Sequence, residues 1–126
     1  MLAVIFEVWP APGRQDEYLR LAASLRAEVE TIDGFLSVER FESLYEAGKL
    51  LSLQFWRDEA GLRRWRDHLE HRRMMAAGRA DLFADYRLRV AEVVRDYGPH
   101  RRDEVPADLK APVRAARPGA VEPNPA

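Results

Sequence analysis

FLSVERFESLYEAGKLLSLQFW, residues 35–56, is the stretch whose reading decides the fold. Phe35 to Tyr45 alternates between apolar and polar side chains, Glu46-Ala47-Gly48-Lys49 makes a turn, and Leu50 to Trp56 alternates again. Two period-two runs around a glycine-containing turn predict an antiparallel hairpin. In the second run Leu51, Leu53 and Phe55 share one face, while Ser52, Gln54 and Trp56 share the other.

On the N-terminal side the period changes. From Arg14 to Ile32 the apolar residues Tyr18, Leu21, Ala22, Leu25, Val29 and Ile32 recur at helical spacing, and Asp33-Gly34 supplies a stop. Leu2 to Trp9 is a first strand closed by Pro10-Ala11-Pro12-Gly13, and its apolar residues on both faces predict a central place in the sheet. On the C-terminal side Asp58 is the expected N-cap of a second helix, with Leu62, Trp65 and Leu69 as its apolar stripe. That helix runs on to Met74 and Met75, and Gly78 ends or kinks it. Tyr86, Leu88 and Val90 then alternate with Arg87, Arg89 and Ala91 in a last strand ending near Tyr97-Gly98. The order is βαββαβ, an α+β ferredoxin-like arrangement with a four-stranded antiparallel sheet.

A chain of 126 residues, 47% of them hydrophobic, suits one compact domain. Its 20 Lys and Arg nearly cancel 21 Asp and Glu, which disfavours nucleic acid and anionic membranes as partners. The apolar start contains Glu7 and lacks a basic leader, so it reads as a strand, not a signal or membrane segment. There is no cysteine, which removes disulfides and thiolate metal sites, and the expected location is cytoplasmic. Between Pro12 and Pro99 no proline occurs, whereas Pro106, Pro112, Pro118, Pro123 and Pro125 follow. Residues 1–98 are therefore expected to form the domain and 99–126 a proline-rich arm. That arm is either a solvated tail or a strap across a partner subunit, gripped by Val105, Leu109 and Val113.

Two helices cover one face of a sheet only. The remaining face is expected to be mixed and to hold two tryptophans, Trp9 and Trp56, which suits burial against a second copy better than exposure to water. A homodimer follows, with Glu7, Glu39, Arg87 and Arg89 as an interfacial polar network; the alternative is a solvated face with surface ion pairs.

Several of these stretches resemble the antibiotic biosynthesis monooxygenase (ABM) family. They are residues 34–41 (GFLSVERF), 49–53 (KLLSL), 55–59 (FWRDE), the helix from Trp65-Arg66 through Glu70-His71-Arg72, and residues 85–91 (DYRLRVA). The likeness extends over about residues 1–98 and implies a dimeric α+β barrel with a pocket between sheet and helices in each subunit. Members include cofactor-free monooxygenases that oxidise aromatic polyketides to quinones, and haem-degrading enzymes. The resemblance thus implies oxygenation of a small aromatic or polyketide-like molecule without haem, flavin or metal. A non-catalytic small-molecule binding or accessory protein, or a cyclase-like one, is the other reading.

Such chemistry removes a proton from a phenolic or enolic substrate and stabilises the anion that then reduces dioxygen. His71 is the candidate base, since Glu70-His71-Arg72 after Trp65 matches one branch of the family; a solvated histidine beside Asp67 is the alternative. Arg72 or Tyr86 is the candidate for orienting the anion. Trp65, Phe55 and Leu53 are the expected substrate-pocket residues, though plain core packing is the simpler reading of Trp65. Haem degradation departs from the pattern, because Glu7 stands where those relatives carry asparagine and Met75 where they carry the axial histidine. His68 and His71 are close enough on a helix to share a metal but lack a third ligand. The arginines around Trp65 alternate with Asp58, Glu59, Asp67 and Glu70, as on a solvated helix face.

Overall fold

The computed structural model describes residues 1–75 and 82–109, with side chains as far as Leu69 and again from Leu82. Within Met1–Val93 lie β1 (Leu2–Pro10), α1 (Gln15–Val29), β2 (Phe35–Glu42), β3 (Leu50–Trp56), α2 (Glu59–Met75) and β4 (Phe83–Glu92). The four strands form one antiparallel sheet in the order β2-β3-β1-β4, so β1 is central as its doubly apolar sequence predicts. The second compact unit begins at Val94, ahead of the Pro99 break. Its described part contains an antiparallel bridge between Gly98 and Arg101, an Asp96 amide donating to Glu104, and a 3-10 turn at Ala107–Leu109. Val113 lies outside the described residues.

Local chemistry sets the boundaries. Asp58 caps α2 as expected, its carboxylate accepting from the Gly61 amide at 2.9 Å. Strand β2 stops at Glu42, short of Tyr45, because the Ser43 hydroxyl accepts from the Tyr45 and Glu46 amides at 3.1 and 3.0 Å and folds the chain into the turn. Gly48, with φ of 81°, completes that turn in the left-handed region. α1 has no side-chain cap at Arg14, but Asp16 and Glu17 face the positive end of its dipole.

The register decides which face meets the helices. Trp56 pairs with Leu2, Gln54 with Val4, Ser52 with Phe6 and Leu50 with Val8, and this set packs under α1 and α2. Trp56 is fully buried there, in T-shaped contact with Phe35. The expected pair of tryptophans on the outer face is therefore corrected: Trp9 lies on that face and Trp56 on the opposite one. The outer face carries Ile5 beside Leu53, Glu7 beside Leu51, and Ala3 beside Phe55. The register places Glu7, Glu39, Arg87 and Arg89 on this face, and Lys49 joins them. Glu7 is gripped by Arg89 at 2.6 Å and by Lys49 at 2.8 Å, and Lys49 sits 4.9 Å over the Trp9 ring. Both cations hold the Glu7 carboxyl below its ordinary range, Lys49 foremost.

The core is in two parts. Val4, Val29, Val38, Trp56, Leu62 and Trp65 make one buried cluster, and Val8, Tyr18 and Leu50 make the other. The space between them is the site.

Candidate functional site

Two rungs of the sheet form the floor of a cavity of about 270 Å³: Arg40, Ser52, Phe6 and Leu88 in one, and Val38, Gln54, Val4 and Val90 in the next. Because strand side chains alternate, all eight point to the helix side. The roof is the inner stripe of α1, with Tyr18, Ala22, Leu25 and Val29, and that of α2, with Leu62, Trp65 and Leu69. Phe83 closes one end, its ring 5.6 Å from Tyr18 and 6.0 Å from Phe6. Arg26 and Arg66 stand on exposed turns of the two helices at the rim.

Most of the wall is apolar, and its few polar groups are donors. Gln54 accepts from the Trp56 indole at 3.0 Å through its side-chain oxygen, so the amide nitrogen is left for other partners. Ser52 is buried beneath the cavity. Tyr18 is 4% exposed, and burial pushes its phenol above the ordinary value of 10.0, with the Arg40 guanidinium beside it offsetting part of that rise. Near neutral pH Tyr18 is therefore a hydrogen-bond donor and not a base. The Arg40 Nε is shut off from water and has no acceptor among the described residues. No histidine, carboxylate, cysteine or methionine occurs among the described residues of the wall.

Trp65 is both a core residue and a wall. Its indole stacks on the His68 imidazole at 5.5 Å with 15° between planes, and Glu28 of α1 engages His68 Nε2 at 3.2 Å. That contact ties α2 to α1 over the cavity and fixes the indole's tilt. His68 faces Glu28 and does not line the cavity.

The other expected site residues are distributed differently. Leu53 and Phe55 belong to the outer face and not to the wall; Ser52 and Gln54 take their place, because register puts them under the helices. Tyr86 is 59% exposed on the edge strand β4, and it touches the cavity only through Phe6 and Phe83, at 5.8 and 6.1 Å between rings. The side chains of His71 and Arg72 lie outside the described residues. Tyr18 and Arg40, like Ser52 and Gln54, are wall residues that went unread as site residues in the sequence. Tyr18 stood in the apolar stripe of α1, and Arg40 shares a strand face with Val38, a parity that places it among core residues.

A family model described as antibiotic biosynthesis monooxygenase matches residues 1–77. A curated relative from Pyricularia oryzae, called jasmonate monooxygenase ABM, is 48% identical over 93 residues, which is 74% of this chain. The chain spans only 43% of that relative's length. Among solved structures, a putative antibiotic biosynthesis monooxygenase from Deinococcus radiodurans superposes with a TM-score of 0.66 at 13% identity, covering 78% of this chain and 97% of that one. The haem-degrader MhuD of Mycobacterium tuberculosis, solved with two haems in its active site, gives 0.61 at 20% identity over 78% of this chain and 100% of that one. At these identities the two structures speak for the fold.

Proposed function

This chain belongs to the antibiotic biosynthesis monooxygenase family, and on that footing we propose that its cavity oxygenates a small, largely apolar molecule. The observation that carries the reading is the cavity itself, an apolar slot between sheet and helices whose polar atoms are clustered donors. Such donors favour an anionic substrate, since Arg40, the Tyr18 hydroxyl and the Gln54 amide all stabilise negatively charged oxygen. The anion passes electrons to dioxygen; a CH₂ group becomes a carbonyl and one water leaves, with both atoms of dioxygen accounted for. His71 is proposed as the base, and Arg72 or Tyr86 as a further anion contact.

Haem, found in a structural neighbour, fits this wall poorly. It needs a strong axial donor, and the described wall has no imidazole, thiolate or thioether, while its one phenol, Tyr18, is held protonated by burial. The β1 residues that reach the cavity are Val4 and Phe6, with Glu7 turned to the outer face. No step is therefore routed through haem. A homodimer joined by the outer sheet faces, a cytoplasmic location and an aromatic or polyketide-like substrate belong to the same proposal. Among the described residues no helix is long and apolar enough to cross a membrane.

Oxygen uptake tests the reading. Anthrones, which carry such a CH₂, and jasmonate, taken from the name of the fungal relative, are offered to the purified protein. Uptake matched by formation of an oxygenated product is the expected result, and no uptake with any of them sinks it. One observation favours a second reading, of binding without turnover: the described wall supplies no group basic enough to take a proton near neutral pH. Tight binding with no oxygen consumed establishes that alternative.

A further inference from the structure

Arg40 has a guanidinium nitrogen sealed from water and from every acceptor among the described residues, at the edge of a cavity that is otherwise nearly all hydrocarbon. Arg40 as a whole is half-buried, but an N–H donor shut off from water with nothing to accept from it is unfavourable. A ligand that supplies an acceptor completes the arrangement. The formal charges on the described wall are all positive: Arg40 within, Arg26 and Arg66 at the rim, and no carboxylate. Arg26 is engaged with Glu30 at 3.3 Å on the exposed side of α1, which leaves Arg40 as the cation facing the interior.

We propose that the cavity takes a monoanionic apolar molecule and that Arg40 holds its carboxylate, which makes Arg40 the residue that sets the class of ligand. A neutral acceptor would satisfy the Nε hydrogen bond; a carboxylate does so through a charge-assisted contact, roughly twice as strong. Nε is one tine of the planar guanidinium fork, so a carboxylate meets it in the geometry that arginine recognises best. Ser52, opposite Arg40 in the register, and Tyr18, beside the guanidinium, lie at the same end of the floor and add hydroxyl donors for the same group. The hydrocarbon part of the ligand then runs along Val38, Val4 and Val90 toward Trp65. The class of ligand deepens the oxygenation reading above, but the binding claim stands or falls without turnover.

Octanoate, octanol and octylamine share a chain and differ in head group, and their binding to the full-length protein is measured by calorimetry near neutral pH. Octanoate is expected to bind at least ~10-fold more tightly than octanol, the scale of one charge-assisted hydrogen bond, and octylamine most weakly. Arg40→Met should erase the octanoate preference while octanol still binds, and Arg40→Lys should retain part of it, which a merely structural role would not produce. If Arg40→Met fails to fold, the wild-type ratio and Arg40→Lys decide. Octanol binding as tightly as octanoate in the wild type, or an undiminished preference in Arg40→Met, overturns the proposal. Absence of oxygen uptake alongside a preserved octanoate preference would defeat the oxygenation reading alone.

Discussion

At Gly61 the absence of one carbon atom holds two segments together. A β-carbon there would lie 2.7 Å from the Asp33 carbonyl oxygen and 3.3 Å from the Trp56 ring, both fixed by backbone or core. Facing it, Gly34 has φ of 98°, and its own β-carbon would fall 3.1 Å from the Gly61 Cα. Gly61→Ala is expected to cost ~1–3 kcal/mol, the range for forced overpacking, seen as a lower thermal midpoint with unchanged far-UV circular dichroism. An unchanged midpoint would show that the loop yields without penalty. Trp65 was legible from its helical spacing alone, whereas Arg40 was not. A charged residue on a strand is ordinarily assigned to the solvent face, and only the parity shared with Val38 argues for the interior.

Between elements, the junction of the α1–β2 loop with the start of α2 is an ionic cluster on the surface. Arg57 donates to both Asp33 oxygens at 3.2 Å and to Asp58 at 3.1 Å, and Arg64 reaches the Asp33 carbonyl at 3.0 Å. These partners hold Asp33 below its ordinary value of 3.8, with Arg57 the main cause. Asp58 is lowered chiefly by the Gly61 amide it caps and then by Arg57. A carboxyl whose pKa is depressed on folding contributes stability that is present above the unfolded value and lost as pH falls through the folded one. The wild type should accordingly lose stability on acidification below about pH 4, and Arg57→Met should flatten that loss while lowering stability at neutral pH. Parallel acid curves for the two proteins would dismiss the cluster as a pH determinant. All six regular elements were readable because their periods differ. Their facing was not, since Leu51, Leu53 and Phe55 are more apolar than Ser52 and Gln54, yet the latter pair lies under the helices. Alternation separates two faces and does not say which one the helices take. Hydrophobicity misled here because the outer face is apolar too.

For the whole molecule that second apolar face has a consequence for assembly. Ile5, Leu51, Leu53 and Phe55 lie around Glu7, whose charge Arg89 and Lys49 engage, and Glu39 and Arg87 share the face, so both signs are present for pairing across another such face. Sedimentation at micromolar concentration should give about twice the 14.5 kDa of one chain, with an interface above ~2,000 Å² of the kind obligate dimers bury. Leu53→Glu should dissociate it. A sharp monomer for the wild type counts against pairing. Deleting residues 99–126 and comparing thermal midpoint and dimer affinity tests the arm, and unchanged values of both would show it plays no part in assembly.

The gap between the two core clusters has one more implication, in terms of volume. Unfolding eliminates poorly filled internal space, so a protein built around a cavity of about 270 Å³ is set against high pressure by its own working part. A ligand that occupies the cavity removes that volume difference as well as adding contacts. Hydrostatic pressure should therefore unfold the empty protein at lower pressures than the occupied one. Ala22→Leu, which extends a side chain from the roof into the gap, should imitate the ligand by raising pressure resistance while it closes the site. The molecule is in this sense unfinished as a packed solid, and a bound ligand would supply the missing part of its core.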